Sequence, residues 1–218
     1  MSFFRDSTGI YQDEALAELP WLAHGFGTRL GVPHPLPITV KQIHSDIVLL
    51  AAAAADCEGD ALVTANPGEP VGVKTADCVP IILADPQHRA IGVAHAGWRG
   101  TLGNITQRVL DKMGLEYGTD PGAVIAAIGP AIGPCCYEVG PEVGKKFQPL
   151  FPERADWENA TKIDLWESNR RHLVNGGVKA SRVSIAGLCT FCLAGEFHSW
   201  RRDGLAAGRM ISFAGILS

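Results

Sequence analysis

Apolar residues in this chain arrive mostly in short runs separated by turn formers. Runs at 38–40, 47–51, 61–64, 71–75, 79–84 and 90–94, and later at 124–128, 183–187 and 209–214, have the length and composition of strands. Asp85-Pro86-Gln87-His88, between two of these runs, predicts a tight turn. Helical spacing is found over 101–115, where Leu102, Ile105, Val109 and Met113 recur on one face and Gly114 lies near the end. Residues 139–150 and 164–175 are the other helix candidates, the second stopped by Gly176-Gly177. The early strands follow one another without helices between them. That speaks against an all-parallel sheet and predicts an α+β fold with mixed sheets.

Composition narrows the function classes. At 218 residues and 23.2 kDa, one domain spanning 1–218 is expected, long enough for a substantial core. The formal net charge of -4 leaves no basic excess to neutralise phosphates, so a nucleic-acid partner is not expected, although isolated arginines can still hold a small anion. The longest apolar stretch, 47–55, is too short to span a bilayer, and the first residues carry no charged segment followed by an apolar one. No membrane partner and a cytoplasmic location are therefore expected, with the six cysteines as reduced thiols rather than a disulfide framework.

Three residues have metal-ligand chemistry at related positions. His44, Cys78 and His95 each sit where a short apolar run meets small or turn-forming residues, and side chains at strand ends can converge from distant parts of a chain. Two imidazoles and a thiolate suit zinc, and three protein ligands leave the fourth position open for chemistry rather than closing it as a structural staple. The residues alone leave open whether the three meet. Asp77 and Asp46 are candidate acceptors for a ligand imidazole or, equally, turn caps. Gly97-Trp98-Arg99-Gly100-Thr101 then runs from the strand ending at His95 to the helix beginning near Leu102. Glycines allow a sharp turn there, and the Arg99 guanidinium offers a planar fork for phosphate oxygens. Arg201 and Arg202 offer a second clamp or a solvated turn.

The surrounding segments resemble one family. Gln42-Ile43-His44-Ser45, Gly59-Asp60-Ala61-Leu62-Val63-Thr64, Thr75-Ala76-Asp77-Cys78, Ala94-His95-Ala96-Gly97-Trp98-Arg99-Gly100-Thr101 and Ile128-Gly129-Pro130-Ala131-Ile132-Gly133-Pro134 occur in its order, as do Tyr137-Glu138-Val139, Cys189-Thr190 and Ser199-Trp200-Arg201-Arg202-Asp203-Gly204. By these blocks, from about His24 to about Met210, the chain is similar to the laccase-domain (YfiH-type) proteins, formerly called multi-copper polyphenol oxidoreductases and now grouped as purine nucleoside phosphorylases. The resemblance implies a layered α/β/β/α arrangement and Zn2+ held by His44, Cys78 and His95. It also implies phosphorolysis of adenosine-, inosine- and guanosine-type nucleosides, together with adenosine deamination. The small-molecule partners are then a purine nucleoside and phosphate, and the assembly a monomer or homodimer. Two departures touch no ligand but can alter the wall of the pocket: a short, proline-rich stretch at 30–40, and Phe197-His198-Ser199-Trp200 where the family usually has Phe-Phe-Ser-Tyr.

The expected roles follow. His44, Cys78, His95 and Arg99 are the catalytic set, and Gly97, Trp98, Gly100, Thr101, Cys135, Arg201 and Arg202 are substrate contacts. Of the adjacent pair Cys135-Cys136, one is expected to be packed and one to point into a cleft. Cys189-Thr190-Phe191-Cys192 lacks a second such pair, so packing without metal is expected of it. Trp98, Trp200 and Phe191 are candidate stacking surfaces for a purine. Copper-dependent polyphenol oxidation is an alternative, but seven histidines without a His-x-His pair are a poor supply for several coppers. Cu2+ can still occupy the three-ligand set in vitro, since it outcompetes zinc at most nitrogen and sulfur sites. A metal-free cysteine hydrolase or deamidase, with Cys78 as nucleophile and His95 as base, is the other alternative, against which His44 supplies a third ligand. A zinc-stabilised interaction module would want four ligands.

Overall fold

A computed structural model describes residues 2–54 and 56–217. Ala55, the end of the longest apolar run, lies outside the described residues. The strands are β1 (Phe3–Arg5), β2 (Tyr11–Asp13), β3 (Leu22–Phe26), β4 (Val48–Leu50), β5 (Ala61–Thr64), β6 (Val71–Thr75), β7 (Val79–Asp85), β8 (Ala90–Ala96), β9 (Ile125–Ile128), β10 (Glu138–Val139), β11 (Thr161–Lys162), β12 (Val183–Ile185) and β13 (Met210–Ile216). The helices are α1 (Glu14–Ala17), α2 (Trp98–Leu102), α3 (Ile105–Tyr117), α4 (Pro141–Phe147), α5 (Leu165–Asn175) and α6 (Trp200–Asp203).

Every residue of β7 and β8 is buried, which requires apolar cover on both faces of their sheet. That sheet has six strands in the order β12-β9-β7-β8-β5-β4, mixed because β12 lies parallel to β9 and β4 parallel to β5 while the central pairs are antiparallel. Successive side chains along a strand point to opposite faces. Ile81 and Leu83 therefore join Val109, Met113, Phe147 and Leu173 of the helices, whereas Ile82 and Ala84 join Phe26, Val71, Val73 and Ala214 of a second sheet. The second sheet is antiparallel, in the order β1-β2-β3-β13-β6. The mixed-sheet α+β architecture of the sequence reading is the one observed. Gly92 lets α3 settle on β8, for a Cβ there would lie 2.5 Å from Val109 Cγ1.

The local differences have physical reasons. The helix expected over 101–115 is two helices, because Asn104 takes a left-handed conformation (φ 56°) and its side chain caps Gln107 N–H. The 38–40 run makes a single bridge, Ile38 to Val71, rather than a strand. Residues 139–150 divide into α4 and a 3-10 turn at Gln148–Leu150. Asp85 closes the expected turn by accepting from the N–H groups of Gln87 and His88. No helix among the described residues is long and apolar enough to cross a membrane.

Two features of this topology make the site. The chain leaves β6 in one sheet and enters β7 in the other through Ala76-Asp77-Cys78, with Asp77 at φ 84°. The β7–β8 register then sets Val79 against Ala96 and Pro80 against His95, so Cys78 emerges beside the end of β8.

Candidate metal centre and its cavity

His95 is buried near the end of β8, and its Nδ1–H donates to Asp60 Oδ1 at 2.7 Å. Asp60 is fully buried and also accepts from the backbone N–H groups of Ile43 (3.3 Å), His44 (3.0 Å) and Ser45 (2.6 Å) and from Ser45 Oγ (2.7 Å). Burial pushes its carboxyl up, but the hydrogen bonds from His95 and Ser45 outweigh this and hold it at about 2. One carboxylate thus does two tasks. It takes up His95 Nδ1–H so that Nε2 is the ring nitrogen left for other partners, and it gathers three successive amides that hold His44 in a left-handed conformation, φ 61°.

The result is convergence. The donor atoms of His44, Cys78 and His95 lie within 4.8 Å of one another, and the two imidazoles meet edge-on with centroids 4.9 Å apart. Burial raises the Cys78 thiol, yet hydrogen bonds from His44 and His95, aided by their charge, bring it down to about 6. Burial likewise lowers His95, and its bonds to Asp60 and Cys78 carry it up to about 9. Two nitrogens and a thiolate, one nitrogen braced by a carboxylate on its far side, fit a borderline-soft divalent ion such as zinc. Gly97 is part of this fit, because a Cβ would sit 3.1 Å from Cys78 Sγ and 3.2 Å from the His44 ring.

A cavity of about 750 Å³ opens over His44, Cys78 and His95, with Trp98, Arg99, Tyr137, Trp200, Arg201, Lys74 and Arg209 in its wall. Although the chain is net acidic, four of these groups are cationic. The carboxylate in the wall, Asp77, is taken up by Thr190 Oγ1 (2.6 Å), Ser199 Oγ (3.0 Å) and the Arg201 N–H (2.6 Å). Arg99 lies over the Trp98 ring at 4.2 Å and, among the described residues, meets no carboxylate. Arg201 stacks 5.3 Å from the Tyr137 ring centroid and donates to Glu138 O.

Several expected contacts move. Asp77 staples the chain reversal to the loops carrying Thr190 and Arg201 rather than bracing an imidazole, and Asp46 faces Arg108 at the surface (3.4 Å). The bracing role belongs to Asp60. The 97–101 segment is no loop: Gly97 caps α2, which starts at Trp98. Thr101 is fully buried, with Oγ1 accepting from Asn169 Nδ2, and Gly100 is pressed against Ser45 O. Neither lines the cavity, so contact falls on Trp98 and Arg99. Arg202 spends its guanidinium on Asp203 and on the carbonyls of Thr190, Phe191 and Phe197, a loop brace rather than a clamp. Phe191 packs against the core and is absent from the cavity wall, whereas Trp98 and Trp200 are in it. Cys135 and Cys136 are not at the cavity; they meet Cys189 and Cys192 in a thiol cluster, so the Cys-x-x-Cys pair is not isolated as expected. Lys74, Tyr137 and Arg209 are wall residues that the sequence reading did not single out. Lys74 carries the one exposed position in a strand otherwise buried, which is the available signal.

Residues 24–217 match the family described as multi-copper polyphenol oxidoreductase laccase, and the chain belongs to that family. Its relatives carry other names. A purine nucleoside phosphorylase of Bacteroides thetaiotaomicron is 36% identical over 197 residues, covering 83% of this chain and 73% of that protein. An adenosine deaminase of an unknown prokaryotic organism is 40% identical over 163 residues, covering 72% of this chain and 61% of that protein. The crystal structure of YlmD from Geobacillus stearothermophilus superposes with a TM-score of 0.88 at 28% identity, covering 99% of each chain.

Proposed function

We propose that this chain cleaves purine nucleosides by phosphorolysis at a zinc centre held by His44, Cys78 and His95, and that the same cavity deaminates adenosine. The observation that carries this reading is the unpaired Arg99 guanidinium in the same cavity wall as the two imidazoles and the thiolate. Names of relatives support it: phosphorylase for one, adenosine deaminase for another. A location in the cytoplasm, where free phosphate and nucleosides meet, belongs to the proposal.

In the reaction a phosphate oxygen bonds to C1′ of the ribose as the C1′–N9 bond breaks. The bonding pair leaves with the purine, which takes up a proton, and ribose-1-phosphate is released. Arg99 presents a planar donor fork to two phosphate oxygens, already oriented by its stack on Trp98. Because α2 has only five residues, the burden of anion binding lies on side chains. Lys74, Arg201 and Arg209 add positive charge, which offsets repulsion between phosphate and electron-rich nucleoside. Trp98, Trp200 and Tyr137 offer flat surfaces for a purine. Zinc held by His44, Cys78 and His95 would supply a Lewis acid at this cavity. Copper competes for the same donors in vitro, but one three-ligand set does not make a multi-copper oxidase.

A second reading has its own observation. A thiol lowered to about 6 beside an imidazole raised to about 9 is the signature of a thiolate–imidazolium pair, as a metal-free cysteine hydrolase requires. His44 within the same 4.8 Å is a third donor that such a dyad does not need. Chelation separates the two: phosphorolysis is lost with the metal, and dyad chemistry survives it.

Replacing Arg99 tests the anion role. Arg99→Ala is expected to raise KM for phosphate some tens-fold, about 2 kcal/mol for a charge-assisted bidentate contact. Arg99→Lys recovers part of this, since a point charge cannot copy the fork. Adenosine deamination, which takes no phosphate, stays within about twofold. Unchanged phosphate dependence in Arg99→Ala removes the cradle from the proposal.

A further inference from the structure

The geometry points to a second metal centre: a closed zinc site of four thiolates, Cys135, Cys136, Cys189 and Cys192, separate from the cavity ligands. Strands β9 and β12 are parallel neighbours, so the loops that follow them leave the sheet side by side. Backbone bonds then join the loops: Ala131 N–H donates to Leu188 O at 3.2 Å, and Thr190 N–H donates to Ala131 O at 3.0 Å. The first loop delivers Cys135-Cys136 and the second Cys189-x-x-Cys192, 53 residues or more away in sequence, to one point. The four Sγ atoms lie within 4.8 Å of one another.

The spacing suits one tetrahedral ion. Zinc–thiolate bonds of about 2.3 Å at tetrahedral angles put neighbouring sulfurs about 3.8 Å apart. Cys192 Sγ is 3.7 Å from Cys135 Sγ and 3.4 Å from Cys136 Sγ. The Gly133 N–H donates to Cys189 Sγ at 3.3 Å, the kind of contact that supports a metal-bound thiolate. Four sulfur donors with no imidazole among them select zinc over magnesium or calcium, and a set of four leaves no open position for chemistry. Cys189 is buried and Cys136 half-buried, while Cys135 and Cys192 are exposed, so an ion can enter from solvent.

This ion would be a staple for the cavity wall. The loop bearing Cys135 and Cys136 also carries Ile132 and Tyr137 to the wall. The other loop supplies Thr190, whose hydroxyl holds Asp77 next to Cys78 and whose carbonyl accepts from Arg202. The ion would add a covalent-strength tie to the backbone bonds and thiol contacts that already join the two loops. The inference does not depend on the reaction catalysed at the cavity.

Metal stoichiometry tests it directly. Full-length protein purified with reductant and dialysed free of loose ions should contain two zinc per chain. Cys78→Ala should retain one, and the Cys189→Ser, Cys192→Ser double variant should also retain one. Because that double variant can fail to fold, a second readout uses the unaltered protein. Alkylation followed by peptide mapping should show Cys135, Cys136, Cys189 and Cys192 protected together and becoming reactive together when a chelator strips the zinc. A single zinc that disappears in Cys78→Ala overturns the inference. So does iron in place of the second zinc, a Cys136–Cys192 disulfide in the reduced preparation, or four thiols that alkylate freely before chelation.

Discussion

Cys78→Ala is expected to leave the protein folded, to remove the cavity metal and to abolish turnover together. Cys78 is the one sulfur donor of the three, and at neutral pH its thiol, brought down to about 6, is already ionised. Alanine leaves two imidazoles, a set too weak for a tightly held ion. The structural cost is small because the side chain is half-buried at a chain reversal that Asp77 holds by three other bonds. The unaltered site has a matching pH dependence. His95, carried up to about 9, must give up its Nε2 proton to bind metal, and the Cys78 thiol must be ionised. Acidification from about pH 9 to pH 6 therefore weakens zinc binding about tenfold per unit, and more steeply below pH 6. Zinc titration across that range, with and without Cys78, reads both effects. Full zinc occupancy at the cavity in Cys78→Ala would mean that the ligands are elsewhere.

Asp60→Asn should be the most damaging single change outside the ligands. The carboxylate accepts five hydrogen bonds, and an amide can accept at one of its two ends only. At least one buried donor then faces an NH2 group. Such a loss is expected to cost about 3 kcal/mol of stability, or roughly 10 °C in Tm for a chain of this size. Zinc affinity at the cavity should fall by about 10- to 100-fold, as when the far nitrogen of a ligand imidazole loses its partner. The pH profile carries the sign. Burial raises Asp60, but its hydrogen bonds depress it from the ordinary 3.8 to about 2. Its contribution is thus fully present above the unfolded value and is lost as pH falls through about 2. The stability gap between wild type and Asp60→Asn should be constant from pH 7 to about pH 4 and narrow below that. A gap that instead disappears as pH rises through about 9 would point to His95, raised from 6.5 to about 9, rather than Asp60 as the group that matters.

The sequence disclosed the site unevenly. His44, Cys78 and His95 were legible because each stands at the end of a short apolar run within a distinctive segment, and the fold brings them together. Asp60 was not, since a carboxylate at the head of a short, mostly apolar strand reads as a turn cap until the loop that it gathers is seen beside it. The signal was there: an acid directly before Ala61-Leu62-Val63 is one that burial forces to find partners. The thiol cluster was hidden for a topological reason. Nothing in Cys135-Cys136 or Cys189-x-x-Cys192 says that β9 and β12 are parallel neighbours. The first three strands were missed because two are three residues long and β3 has His24 within it, a buried imidazole that accepts from the Asp13 N–H and is lowered to about 4 by that burial. Arg202 directly follows the wall residue Arg201, and Thr101 lies two residues after Arg99, yet both face inward, a distinction that chain proximity cannot make.

The central claim is phosphate-dependent cleavage of the glycosidic bond. The most direct measurement is phosphorus NMR, with chromatography of the base, on zinc-loaded protein given adenosine, inosine or guanosine in buffers with and without inorganic phosphate. Ribose-1-phosphate and free purine are expected in equal amounts only when phosphate is present, and both are expected to be lost after chelation. Free ribose released at the same rate without phosphate, or cleavage untouched by chelation, would contradict it.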